Sequence, residues 1–169
     1  MKLRSAITIN GKPYQAGDEI SGWMIYPFFL FHMGIFGLSG FFMAYGAKDV
    51  PLLFLYLHGG FAILIYVAFY FAIFGRDEVK WMCIDAALGL FGIYSQIGYL
   101  LARFGKKLSD YPVAVDVVPF GYYILYTFLL RQALLDFTGS HDNPDRKRTV
   151  EFVYIGASLL VYGALYLHR

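Results

Sequence analysis

The chain has 169 residues, 59% of them apolar or aromatic and 15% charged, with a formal net charge of +2 and a mean hydropathy of +0.54. Soluble domains carry about 25% charged residues, so this balance excludes a disordered tail and a compact water-soluble enzyme. A single cysteine likewise excludes a disulfide-built secreted module and a dithiol oxidoreductase working through a cysteine pair. What remains is an all-α integral membrane protein, a bundle of five transmembrane helices behind a short N-terminal β-hairpin-like cap, with a polar segment 1–19 and a membrane domain 20–169.

In the polar segment, Asn10-Gly11 stands between β-prone residues, and a turn of this type wants positive φ at both positions, which predicts a hairpin. Pro13 lacks the N–H a ladder needs, so the hairpin is short and edge-like. Its expected role is to fix where the first helix enters; a docking element at the membrane surface is the functional alternative. Asp18 and Glu19 stand where a signal peptide carries basic residues, so the apolar run that follows is not a cleavable leader.

A spanning helix needs about 20 mostly apolar residues. The charge-free stretches 20–47 and 50–75 supply the first two, with Lys48, Asp49 and Pro51 marking the turn between them. The third span is expected at 81–102, interrupted only by Asp85; the fourth at 113–135, with Asp116 and Arg131 near its ends and Pro119 inside; the fifth at 149–167. Runs such as Phe28-Phe29-Leu30-Phe31 are apolar on every side, unlike the helices of a soluble bundle. Basic residues concentrate on the side holding Lys2, Arg4, Lys12, Arg76, Lys80, Arg146, Lys147 and Arg148, against Lys48, Arg103, Lys106, Lys107 and Arg169 on the other. The positive-inside rule then places the N-terminus in the cytoplasm and the C-terminus outside an inner (plasma) membrane.

Small residues let helices approach closely in lipid. Gly34, Gly37 and Gly40 share a face of helix one; Gly89, Gly92, Ser95 and Gly98 form a stripe on helix three; Gly156 and Gly163 lie seven apart on helix five. These stripes are expected to pack against one another within the chain, a homo-oligomeric seam being the alternative. Large residues then face outward, and Trp23, Tyr26, Trp81, Tyr99 and Tyr111 form an interfacial belt.

Ionisable groups inside spans are costly and need partners. Asp85 and Arg131 lie at similar depth from the same end of neighbouring helices, which predicts an ion pair, with Glu151 and Asp136 on the same side. Asp116 enters from the opposite surface, near Asp110 and the Arg103-Lys106-Lys107 cluster. The carboxylates sit near the rims and none at the middle, so a channel or transporter subunit lined by Asp85, Asp116, Arg131 and Glu151 is the second reading. His58 and Gln96 share a depth and are expected to bond each other. His32 and His58 raise the idea of a b-type haem, but their positions put them about 9 Å apart along the membrane normal, and no metal site or cofactor is assigned. In the loop 138–148, Ser140, His141 and Asp142 are consecutive, which is the wrong relation for a triad, so no catalytic residue is assigned. Asn143-Pro144 reads as turn chemistry, Arg146-Lys147-Arg148 as lipid headgroup contact, and His141, Asp142 and Arg146 as a docking surface. No basic-aromatic patch for nucleic acid occurs.

This profile leads to a non-enzymatic inner-membrane protein of accessory or immunity type, surrounded by membrane lipids, that binds another membrane protein or a membrane-inserting toxin. Its expected contacts are the Gly34/Gly37/Gly40 stripe, the N-terminal segment and the loop around His141.

Overall fold

The computed structural model describes residues 2–3, 5–9, 11–46 and 50–168. Five helices are long and apolar enough to cross a bilayer: α1 Gly22–Gly46, α2 Leu52–Phe74, α3 Arg76–Arg103, α4 Val113–Phe137 and α5 Pro144–Leu167. Two short strands precede them, β1 Ile7–Ile9 and β2 Lys12–Tyr14, paired antiparallel with Ile7 opposite Tyr14 and Ile9 opposite Lys12. Asn10 of the expected turn, the Lys48-Asp49 turn, and Arg4 and Arg169 of the charge comparison lie outside the described residues.

Helices α3 and α5 each begin five residues earlier than hydropathy places them, and the physics of helix starts explains both. Gly75, at φ 84°, ends α2 in a conformation that disfavours other residues. The chain then re-enters a helix at once, with Asp77 and Glu78 in the first turn, where carboxylates complement the positive end of the backbone dipole. At α5, the Asn143 side chain accepts a hydrogen bond from the Arg146 N–H at 3.0 Å and Pro144 occupies the first helical position. The residues read as a turn are therefore a cap.

Helix α4 is central: it touches all four other helices, while α3 and α5 lie side by side. Its Val118, Leu125, Phe128 and Leu129 are buried. Tyr70 and Phe74 of α2 pack against Phe128, tilted and edge-on, with ring centroids 5.1 and 5.4 Å away, and Phe29 of α1 meets Tyr70 at 5.6 Å. Large aromatic side chains thus fill part of the interior, while others, such as Phe31, Phe61 and Phe152, face outward as expected. The small-residue stripes do not pack against one another; the glycines seat rings instead. A Cβ on Gly40 would lie 3.7 Å from the Tyr122 ring, and one on Gly89 2.8 Å from Tyr123. A Cβ on Gly34, Gly156 or Gly163 would meet nothing within 4 Å, so those positions are open.

The N-terminal segment closes one end of the bundle. Lys2 bridges Glu19 and the Leu3 N–H donates to the Asp18 carbonyl at 3.0 Å, while Leu3 and Ile20 are buried in the core. This hairpin end is where α1, α3 and α5 start and α2 and α4 finish. Of the expected belt, Trp23 is 88% exposed, whereas Tyr26 is buried and Trp81 stacks on a guanidinium. Tyr99 receives a bond from Arg103, and the Tyr111 hydroxyl donates to the Tyr45 carbonyl.

Candidate functional site

A polar network ties α3, α4 and α5 together near the hairpin end. Arg131, 0% exposed, donates through Nη1 to Glu78 Oε2 at 2.8 Å and through Nη2 to Glu151 Oε1. Its guanidinium lies 4.0 Å from the centre of the Trp81 ring, a contact worth about 2 kcal/mol when shielded from water. Glu78 also accepts from Gln132 Nε2 at 3.0 Å and from Lys147 Nζ. Two cations and two carboxylates therefore balance, which is the condition for keeping charges out of water at tolerable cost.

This corrects the expected Asp85–Arg131 pair. The early start of α3 brings Glu78 into the helix two turns below Asp85, and Glu78 and Glu151 take both terminal nitrogens of Arg131. Asp85 is fully buried and has a different partner. The Tyr154 hydroxyl stands 3.2 Å from Asp85 Oδ1 and 3.1 Å from the Thr127 carbonyl, two acceptors competing for one proton. Further along the same three helices, the hydroxyls of Tyr123 and Tyr162 bond each other. Asp85 Oδ2, Arg131 Nε and Gln132 Oε1 are buried and make no hydrogen bond among the described residues.

A second cluster lies under α1 and α4. Asp136 Oδ2 accepts from the Tyr26 hydroxyl at 2.5 Å, and Oδ1 lies 2.9 Å from His141 Nε2. The chain returns beneath α4 because Gly139, at φ 59°, reverses it and Ser140 N–H donates to the Leu135 carbonyl at 2.8 Å. A cleft of about 310 Å³ opens here, lined by Lys2 and Glu19 of the N-terminal segment and by Gly139, His141 and Asp142. Beside it an apolar groove of about 560 Å³ runs between α1 and α4, lined by Trp23, Pro27, Leu30, Leu134 and Phe137. Asp136 lines both.

The remaining expected residues are scattered. Asp116 Oδ1 accepts from the Tyr45 hydroxyl at 2.6 Å, at the opposite end of the bundle. His58 Nε2 lies 3.2 Å from the Ser39 hydroxyl, so its partner is on α1 and not Gln96 on α3. His32 Nδ1 bonds the carbonyl of Phe28, one turn back in its own helix. Gly37 and Gly40 face Tyr122 inside the chain, and Gly92 faces Tyr123 and Tyr162, while Gly98 lies in the same helix. Arg146 and Asp142 are exposed. Among the described residues, no group of three or more His, Cys, Asp or Glu side chains is placed to hold a metal ion.

Glu78, Gln132, Lys147 and Tyr154 were missed as site residues. Glu78 and Lys147 sit in charged stretches that hydropathy assigns to loops, yet their helix-start signals (Gly75 before one, Asn143-Pro144 before the other) place them inside spans. Tyr154 has no comparable signal, since any of the 15 tyrosines serves equally well as an anchor or a partner. The chain matches no protein-family model, no curated protein and no solved structure.

Proposed function

We propose that this is a non-enzymatic, multi-pass inner-membrane protein, with its N-terminus in the cytoplasm, that binds another membrane protein or a membrane-inserting toxin at its hairpin end. The observation that supports this reading is the meeting of cleft and groove at Asp136. The N-terminal segment and the His141 loop, two of the three contacts expected from sequence, line one cleft. That cleft adjoins an apolar groove whose rim residues Trp23 and Phe137 are 88% and 91% exposed. A partner helix entering the groove would bury those rings, and its polar flank would meet Lys2, Glu19, His141 and Asp142. Of the third expected contact, Gly37 and Gly40 face Tyr122 inside the chain, while Gly34 is open on the outside of α1.

Site-specific photocrosslinking in cells tests the proposal. A photoreactive phenylalanine at Trp23 or Phe137 should yield an adduct of discrete mass, and the same probe at Phe54, exposed on α2 at the other end, should not. Adducts of equal yield at all three positions, or none at any, would refute it. A second copy of this chain in the adduct would replace the proposed partner with a homo-oligomer.

A further inference from the structure

We propose that the α3–α4–α5 side of the bundle carries protons, with Asp85 as the relaying carboxyl; this stands independently of the partner-binding reading. The groups concerned follow single helix faces. On α5 they are Lys147, Glu151, Tyr154 and Tyr162; on α4, Arg131, Thr127 and Tyr123; on α3, Glu78 and Asp85. Lys147 to Tyr162 is fifteen residues of helix, about 22 Å of rise, against hydrocarbon about 30 Å thick. Tyr162 stands five residues, about 8 Å, short of the end of α5 at Leu167.

Three features set this file apart from a structural lock. Lys147, Glu78 and Glu151 side chains are 25%, 15% and 14% exposed, so the file opens at the protein surface at its lower end, whereas Asp85 above them is fully buried. Asp85 Oδ2, Arg131 Nε and Gln132 Oε1 are orphaned polar atoms around that boundary, and buried groups of this kind are ordinarily satisfied by internal water. Finally, the Tyr154 proton has two acceptors in reach, so the hydroxyl reorients between Asp85 and the Thr127 carbonyl without breaking the packing. A structural lock needs none of these, and the Arg131 pairs already supply one.

The packing also selects the species carried. A Cβ on Gly92 would lie 2.7 Å from the Tyr123 hydroxyl and 2.9 Å from the Tyr162 ring, so the two hydroxyls occupy the space that Gly92 leaves. No metal cation or water column passes there, while a proton needs only bonded hydroxyls. In the step itself, a proton from solvent water at the Glu78–Lys147 mouth adds to the Asp85 carboxylate. Asp85 then gives a proton to the Tyr154 oxygen as Tyr154 releases its own to an internal water, that water passes a proton to the Tyr123–Tyr162 pair, and the pair gives one up to water at the opposite end. Each residue gains and loses one proton, and charge is conserved.

Full-length protein in liposomes enclosing a pH-sensitive dye, with a valinomycin-set potassium potential negative inside, tests this. Wild type should acidify the lumen faster than protein-free vesicles. Asp85→Asn should fall to the protein-free rate, Tyr154→Phe and Tyr162→Phe should be slowed, and Tyr56→Phe on α2 should keep the full rate. Wild type no faster than empty vesicles, or Asp85→Asn as fast as wild type, overturns the proposal. Should Asp85→Asn fail to fold, Tyr154→Phe, which keeps the ring and removes only the hydroxyl, decides by the same comparison.

Discussion

Replacing Arg131 with Met tests whether the network at the hairpin end stabilises the bundle as its geometry indicates. The change removes two charge-assisted hydrogen bonds and the contact of the buried guanidinium with Trp81, and leaves the half-buried Glu151 without its cation. Breaking a buried pair in this way costs about 3–5 kcal/mol. Glu151→Gln alone retains an oxygen for Nη2 but loses its charge, a cost of about 1.5–3 kcal/mol for a bond to a charged group. Once Arg131 is gone, neutralising Glu151 removes an unpaired charge, so Arg131→Met with Glu151→Gln should cost no more than Arg131→Met by itself. The coupling is then about 1.5–3 kcal/mol. Unfolding in mixed micelles, titrated with a denaturing detergent and followed by circular dichroism, measures all four proteins. Losses that add to within about 0.5 kcal/mol would refute the pairing. A parallel cycle with Asp85→Asn should give weaker coupling to Arg131, because Asp85 is bonded to Tyr154; coupling stronger than that of Glu151 would show the partners to be misassigned.

Two further substitutions separate the occupied glycines and the helix cap from their surroundings. Gly92→Ala drives a methyl into the Tyr123–Tyr162 pair and should cost about 1–3 kcal/mol, whereas Gly163→Ala, with nothing within 4 Å, should be neutral or gain up to about 1 kcal/mol from helix propensity; equal effects in the same titration would contradict the packing. Asn143→Ala should cost about 0.5–2 kcal/mol by removing the cap of α5, and an unchanged midpoint would mean that the helix starts later, where hydropathy placed it.

The five spans were legible because a bilayer imposes one length and one composition on any helix that crosses it, and hydropathy reads both. The starts of α3 and α5 were not, because Arg76 to Lys80 and Asp145 to Arg148 are charged for reasons a hydropathy window cannot see: in Glu78 and Lys147 the charge is satisfied by Arg131 and by each other. Gly75 carries the signal at α3 and Asn143-Pro144, which alone reads as turn chemistry, carries it at α5. The same limit hides the partner of Arg131, because hydropathy puts Glu78 in a loop. His58 and Gln96 share a depth, but depth fixes only one coordinate, and rotation about the helix axis turned His58 toward Ser39. The cleft at Asp136 depends on a reversal at Gly139 and on a hairpin folded back beneath the bundle, and neither has a period in sequence.

Helix α4 explains why the bundle has two unlike halves. Its Val118, Leu125, Phe128 and Leu129 are apolar and lie buried with the aromatic side chains of α1 and α2, while Tyr123, Thr127 and Arg131, each four residues from the next, carry polar atoms to α3 and α5. In water such a helix would turn the second face to solvent. In lipid that face has no solvent to turn to, because unsatisfied polar groups in hydrocarbon cost several kcal/mol each. The stripe must be covered by helices that bring acceptors and donors at matching heights, and only α3 and α5 do so: Glu78 and Glu151 opposite Arg131, Tyr154 opposite Thr127, Tyr162 opposite Tyr123. Helix α5 illustrates the consequence. Its apolar window is only 11% buried, less than in any other span, yet Lys147, Glu151, Tyr154 and Tyr162 turn to its neighbours. It lies along α3 and is fastened to α4 through Glu151–Arg131, Tyr154–Thr127 and Tyr162–Tyr123, so the polar file orders a helix whose apolar surface is left to lipid.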